Sequence, residues 1–206
     1  MKLVILGGSG KTGQELIKLA VERGHLVTAI VRDVSKITTA KGLHVVKADV
    51  TKAEELVPYF KGQDAVLSTL GNNNASLRLI ELSTKAIVDA MDTSQVKRVV
   101  IESAYGASET ATLSKLVRYI NDKKLGSMLV DKKKGEAILK QSDLDWTLVY
   151  PVRLTDATTK GGAREVPATE KIGVSYKISR TDTADYMLDV AENGLRIKET
   201  PVITSA

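Results

Sequence analysis

The chain has 206 residues, a formal charge of +5, no cysteine and two histidines. That length gives room for one good core with a small extra lobe; the absence of thiols excludes disulfides, cysteine nucleophiles and cysteine-held metals, and the lone His25 and His44 suggest no metal site. No apolar run reaches the length of a membrane span and no signal-peptide pattern precedes the first strand, so the expectation is a soluble cytoplasmic protein with no metal and no membrane partner.

Leu3-Val4-Ile5-Leu6 reads as a buried strand that passes through Gly7-Gly8-Ser9-Gly10-Lys11-Thr12-Gly13 into a helix. Strand, glycine turn and helix in that order aim unpaired backbone N–H groups and the positive end of a helix dipole over the turn, where a pyrophosphate is received. Glycines at 7, 10 and 13 allow close backbone approach and tight packing of helix on strand. Gly10-Lys11-Thr12 also resembles the end of a Walker A loop, but that motif needs a glycine where Ile5 stands inside the strand. The plain alternative is a tight turn with no ligand.

Leu26 to Val31 is a second buried strand, and Arg32 follows it. An acidic residue there would accept from the ribose 2′-hydroxyl of NAD, whereas an arginine accommodates the 2′-phosphate of NADP. Asp33 stands one place late, and Lys36 offers a second positive charge for a phosphate dianion. The ordinary reading of Arg32 is a surface charge; the pair favours NADPH over NADH.

Leu43 to Ala48 is a third strand, after which Asp49-Val50 stands at the carboxyl edge of the sheet. Asp49 can accept from an adenine amino group while the Val50 backbone addresses the ring edge, or Asp49 can cap the helix begun by Thr51-Lys52-Ala53-Glu54-Glu55. A fourth strand runs from Asp64 through Leu70 to Gly71, which lets the chain pass close to a ribose or phosphate. Ala75 to Met91 has helical spacing, with Leu79, Leu82, Ala86, Ile87 and Ala90 on one stripe.

Lys97 to Ser103 is a fifth strand that ends at Ser103-Ala104-Tyr105-Gly106. A long, charged, mostly helical stretch holds Lys123-Lys124 and Lys132-Lys133-Lys134; a solvated helix face accounts for it better than a nucleic-acid patch, since no basic-aromatic platform accompanies it. Asp145 to Pro151 is a sixth strand, and 153–180 reads as loops and short strands covering a site. Ser179-Arg180-Thr181-Asp182 caps a helix through Glu192, stopped by Asn193-Gly194, and Pro201 to Thr204 is a last short strand. With no internal repeat and no linker, the expectation is a single domain over 1–206. It is α/β, a Rossmann-like doubly wound parallel sheet with helices on both faces and a small C-terminal substrate-covering lobe.

The chain resembles the atypical short-chain dehydrogenase/reductases called NmrA-like, and among them the NAD(P)H-binding group that includes biliverdin-IXβ/flavin reductase. The resemblance rests on Gly7 to Gly13, Val31-Arg32-Asp33, Asp49-Val50, Leu70-Gly71, Ser103-Ala104, Ser142 to Thr147 with Tyr150-Pro151, and Ile178 to Asp185. It implies that Gly7, Ser9, Gly10, Lys11, Thr12, Gly13, Arg32, Lys36, Asp49, Val50, Leu70, Gly71, Ser103, Pro151 and Val152 line an NADPH site. It also implies that Ser103 lies near the nicotinamide and the substrate carbonyl, in a supporting catalytic role.

The better-known short-chain reductases use a Tyr-x-x-x-Lys pair, in which the lysine helps the tyrosine hand over a proton. Tyr119 and Lys123 match it literally, but the resemblance puts the active-lysine position at Lys132 and the tyrosine position at Met128, which has no proton to donate. Flavins, quinones and linear tetrapyrroles take a hydride from a well-placed NADPH and then a proton from solvent, with Tyr105 or Tyr150 as a wall or hydroxyl. The expected function is therefore an NADPH-dependent reductase of such a small-molecule electron acceptor, acting as monomer or homodimer. The alternative is a non-catalytic NAD(P)-binding redox sensor with a protein or nucleic-acid partner.

Overall fold

The computed structural model describes residues 1–71, 78–108, 115–159 and 161–206, with side chains for all of these but 115–125. The described elements are β1 (Lys2–Leu6), α1 (Lys11–Glu22), β2 (Leu26–Val31), β3 (Leu43–Lys47), α2 (Ala53–Phe60), β4 (Ala65–Ser68), α3 (Leu79–Ser94), β5 (Arg98–Glu102), α4 (Lys115–Lys140) and β6 (Asp145–Pro151). They continue with β7 (Arg153–Thr155), β8 (Ala163–Glu165), β9 (Lys177–Ser179), α5 (Arg180–Glu192) and β10 (Val202–Ser205).

The central strands are apolar runs because helices cover both faces of their sheet. Leu3 to Leu6, Ala65 to Leu67, Val99, Val100, Leu148 and Val149 are all buried. The sheet has the order β3-β2-β1-β4-β5-β6-β10-β8 and is parallel except for β8, which runs antiparallel to β10. α1 packs on α5 against one face, while α2, α3 and α4 pack in series on the other. This is the expected Rossmann-like doubly wound sheet. β1 and β4 are parallel neighbours, but the order in which strands are added reverses between them, and the carboxyl ends of the strands open a crevice at that switch point. β7 and β9 pair separately as a small parallel ribbon.

The ends of several elements have local causes. The Ser179 hydroxyl accepts from Asp182 N at 2.9 Å and donates to the Asp182 carboxylate at 2.7 Å, the cap expected for α5. β4 stops at Ser68, short of Gly71, where the Thr69 hydroxyl turns to donate to the carbonyls of Leu6 and Gly7, both at 3.3 Å. The α3 stripe needs a correction: Leu82 is 42% exposed, and Ile80, Ser83 and Thr84 take the buried side. Gly135 of α4 is the reason, since a Cβ there would lie 2.8 Å from Thr84 Oγ1 and 3.0 Å from Ile80 O. The close approach turns this edge of α3 toward α4. Residues 75–77, expected in the same helix, lie outside the described residues.

Candidate functional site

Parallel pairing brings the ends of β1, β4, β5 and β6 to one edge: Leu6 aligns with Ser68, Ser68 with Ile101, and Glu102 with Val149. The glycine turn after β1, Leu70-Gly71 after β4, Ser103 after β5 and Pro151-Val152 at β6 therefore share that edge. Arg32 and Asp49 follow β2 and β3 on the same side.

The turn is shaped by two glycines. Gly7 has φ +82°, and a Cβ on it would meet the Thr69 backbone at 2.8 Å; a Cβ on Gly13 would lie 2.2 Å from Gly7 O. No larger residue fits either position. Gly10 N donates to Gly7 O at 2.9 Å, closing the turn, and Gly10 serves as the N-cap of α1 with no side-chain cap and no acidic residue in the first turn. A helix start without a side-chain acceptor leaves N–H donors for an external anion, so the chain fits a dinucleotide pyrophosphate here. Lys11 is exposed on this turn, Ser9 is half-buried, and Thr12 is buried beneath it. Lys11 reaches Asp156 at 2.5 Å; Asp156 also pairs with Arg180 at the start of α5, so the loop after β7 is tied to the turn.

Beyond β2, Arg32 and Lys36 are exposed, and neither side chain has a hydrogen-bond or ion-pair partner among the described residues. Asp33 is drawn into its own turn. One of its carboxylate oxygens accepts from Ser35 N at 3.1 Å and from Ser35 Oγ at 2.7 Å, and these bonds hold its carboxyl below the usual range. Asp49 is used similarly, accepting from Thr51 N at 3.0 Å and Thr51 Oγ1 at 2.7 Å, while Lys52 is the N-cap of α2. It shapes the turn before the helix rather than capping the helix. Val50 is buried beside it, and Gly71 is exposed, with no atom of the described residues within 4 Å of an added Cβ.

Behind Ser103 lies a buried polar cluster that sequence reading missed as a unit. Glu102, Ser103, Lys132 and Glu136 are each under one-tenth exposed, although Lys132 belongs to the lysine run read as a solvated face. Lys133 and Lys134 are the solvated members. Lys132 Nζ donates to the Glu102 carbonyl at 3.3 Å, and Thr12 Oγ1 donates to the Glu102 carboxylate at 3.3 Å. Burial pushes the Glu102 carboxyl up to about 7 against the pull of Lys132, Thr12 and Arg180, and the same burial pushes the Lys132 ammonium down. Ser103 Oγ donates to one oxygen of Glu136, and Tyr150 OH donates to the other at 2.7 Å. Tyr150 is thus inside the cluster and is not a stacking wall; Tyr105 is also buried, which pushes its phenol up to about 12. The signal for Glu102 was present as one carboxylate in the strand Val99-Val100-Ile101-Glu102. The side chains of Tyr119 and Lys123 lie outside the described residues.

A family model described as NAD(P)H-binding matches residues 7–194. The Bacillus subtilis protein YwnB is 28% identical over 204 residues, covering 94% of this chain and 93% of that protein. Among solved structures, ChuY, an anaerobillin reductase from Escherichia coli O157:H7, superposes with TM-score 0.81 at 18% identity, covering 100% of this chain and 97% of that one. A proposed NADH-flavin reductase from Streptococcus pneumoniae superposes with TM-score 0.79 at 22% identity, with both chains covered in full (100%). Among the described residues, no helix is long and apolar enough to cross a membrane.

Proposed function

The chain belongs to the NAD(P)H-binding family, and from that premise we propose an NADPH-dependent reductase that passes hydride to a flavin-, quinone- or tetrapyrrole-like acceptor. The observation that carries the cofactor choice is the exposed, unpartnered pair Arg32 and Lys36 beyond β2, with Asp33 already engaged by Ser35. Two cations that no described hydrogen bond or ion pair holds suit a 2′-phosphate, and one oxygen of the Asp33 carboxylate is already drawn into its own turn.

In this reading the N-terminus of α1 and the turn from Gly7 to Gly13 hold the pyrophosphate, with Ser9, Gly10, Lys11 and Thr12 around it. Arg32 and Lys36 hold the 2′-phosphate, Asp49 and Val50 the adenine, and Leu70 and Gly71 the adjoining ribose. Ser103, Pro151 and Val152 border the nicotinamide. NADPH supplies the hydride when bound. The chain's part is to orient the two reactants and exclude water. Lys132 occupies the active-lysine position but is buried, and the residue one turn before it is Met128. The proton for the reduced acceptor then comes from solvent, which suits conjugated acceptors of the kind named for the two reductase neighbours.

The test is NADPH oxidation followed by absorbance with FMN, a benzoquinone and biliverdin in turn. Steady, saturable oxidation with at least one of them is the expected result. Tight dinucleotide binding with no turnover would favour a redox sensor, the reading that Met128 and the buried Lys132 also allow.

A further inference from the structure

Three elements converge on the Glu136 carboxylate. Ser103 follows β5, Tyr150 stands in β6, and Glu136 projects from α4 next to Gly135, whose tight contact with α3 sets how deep that turn of α4 sits. The Ser103 backbone N donates to Val149 O at 2.8 Å, which fixes the serine against β6. A carboxylate only accepts hydrogen bonds, so the two hydroxyls on its two oxygens are both donors. Each hydroxyl has one proton, and that of Ser103 is spent on Glu136. Lys132, one turn earlier on α4, is buried in the same cluster and supplies the compensating positive charge.

We propose that Glu136 is a positioning residue that sets the polarity of Ser103. With its proton held by Glu136, Ser103 offers only lone pairs to whatever binds at the end of β5, and it accepts the carboxamide N–H of the nicotinamide instead of donating to the electron acceptor. This rests on the placement of the nicotinamide beside Ser103 given above. It assigns Ser103 to cofactor orientation and leaves no serine proton for the reduced product.

The test needs no acceptor. The probes are NADP⁺ and its 3-acetylpyridine analogue, in which a methyl group replaces the carboxamide NH₂, and the readout is the ratio of their dissociation constants by calorimetry. Wild type should prefer the amide by about tenfold, the scale of one hydrogen bond with an otherwise unmatched partner. In Glu136→Gln the phenol of Tyr150, the stronger donor, takes the side-chain carbonyl, so the amide NH₂ faces Ser103 and frees its proton. The preference should then fall to within about twofold or invert. Tyr150→Phe removes a buried hydrogen bond yet leaves Ser103 on Glu136, so it should keep the wild-type ratio; a merely structural role for the cluster would move both variants alike. Ser103→Ala should abolish the preference, and adding Glu136→Gln to it should change nothing further.

A wild-type ratio in Glu136→Gln, with the preference lost in Ser103→Ala, overturns the inference while leaving Ser103 beside the nicotinamide. A wild-type ratio in Ser103→Ala overturns both the inference and that placement. Failure of wild type to bind either dinucleotide overturns the cofactor reading itself.

Discussion

The Thr12 hydroxyl lies 3.3 Å from the Glu102 carboxylate, so the first turn of α1 is joined to the buried end of β5. An ionisable group therefore sits under the proposed pyrophosphate cradle, with Lys132 on α4 and Arg180 on α5 as the cations acting on it. Its protonation is coupled to the stability of the fold.

Burial raises the Glu102 carboxyl from 4.5 to about 7. Between those values the folded protein keeps a proton that the unfolded chain has released, so Glu102 subtracts stability as pH rises through the window. Glu102→Gln carries no such penalty. Urea unfolding at about pH 5 and about pH 8 should show the variant gaining on wild type by on the order of 1–3 kcal/mol as pH rises. A stability difference that stays constant with pH would contradict the account.

Gly13 and Gly71 should behave oppositely when changed to alanine. A Cβ on Gly13 would lie 2.2 Å from Gly7 O, whereas one on Gly71 meets nothing within 4 Å among the described residues. Gly13→Ala should cost about 2–3 kcal/mol, the scale of overpacking, and lower Tm by roughly 5–10 °C. Gly71→Ala should leave Tm unchanged but weaken dinucleotide binding by calorimetry, because the open space beside it is where the ribose is proposed to pass. Unchanged binding would remove Gly71 from the site.

Arg98 is a buried guanidinium whose described hydrogen bonds all go to carbonyls. It donates to Asp145 O at 2.6 Å, Leu195 O at 2.8 Å, Val190 O at 3.0 Å and Val99 O at 3.3 Å, joining β5 to β6 and to the end of α5. A lysine ammonium cannot span that fork. Arg98→Lys should lose on the order of 2 kcal/mol in urea unfolding; a wild-type midpoint would show that the carbonyls find other partners.

The sheet was legible because its strands are continuous apolar runs separated by glycine turns and amphipathic helices. β2 and β6 fall on the residues that the pattern marks, and Ser179 caps α5 as read. Leu82 was misread because periodicity identifies a stripe but not which neighbour that stripe meets; here a glycine on α4, far away in sequence, turned the face. Lys132 was misread for a related reason. A run of three lysines suggests solvent, but at 100° per residue one of the three can point inward, and only the carboxylates on β5 and α4 make that tolerable. The cluster joining Thr12, Glu102, Ser103, Lys132, Glu136 and Tyr150 spans most of the chain length, so no local pattern announces it.

In the proposed function the cationic pair beyond β2 selects NADPH. This is tested most directly by calorimetric titration of NADPH and NADH at matched ionic strength, on wild type and on Arg32→Ala. Wild type is expected to bind NADPH at least about tenfold tighter, ~1.4 kcal/mol, and Arg32→Ala to bring the two within about twofold. Equal binding of the two by wild type, or a preference that survives in Arg32→Ala, would contradict it.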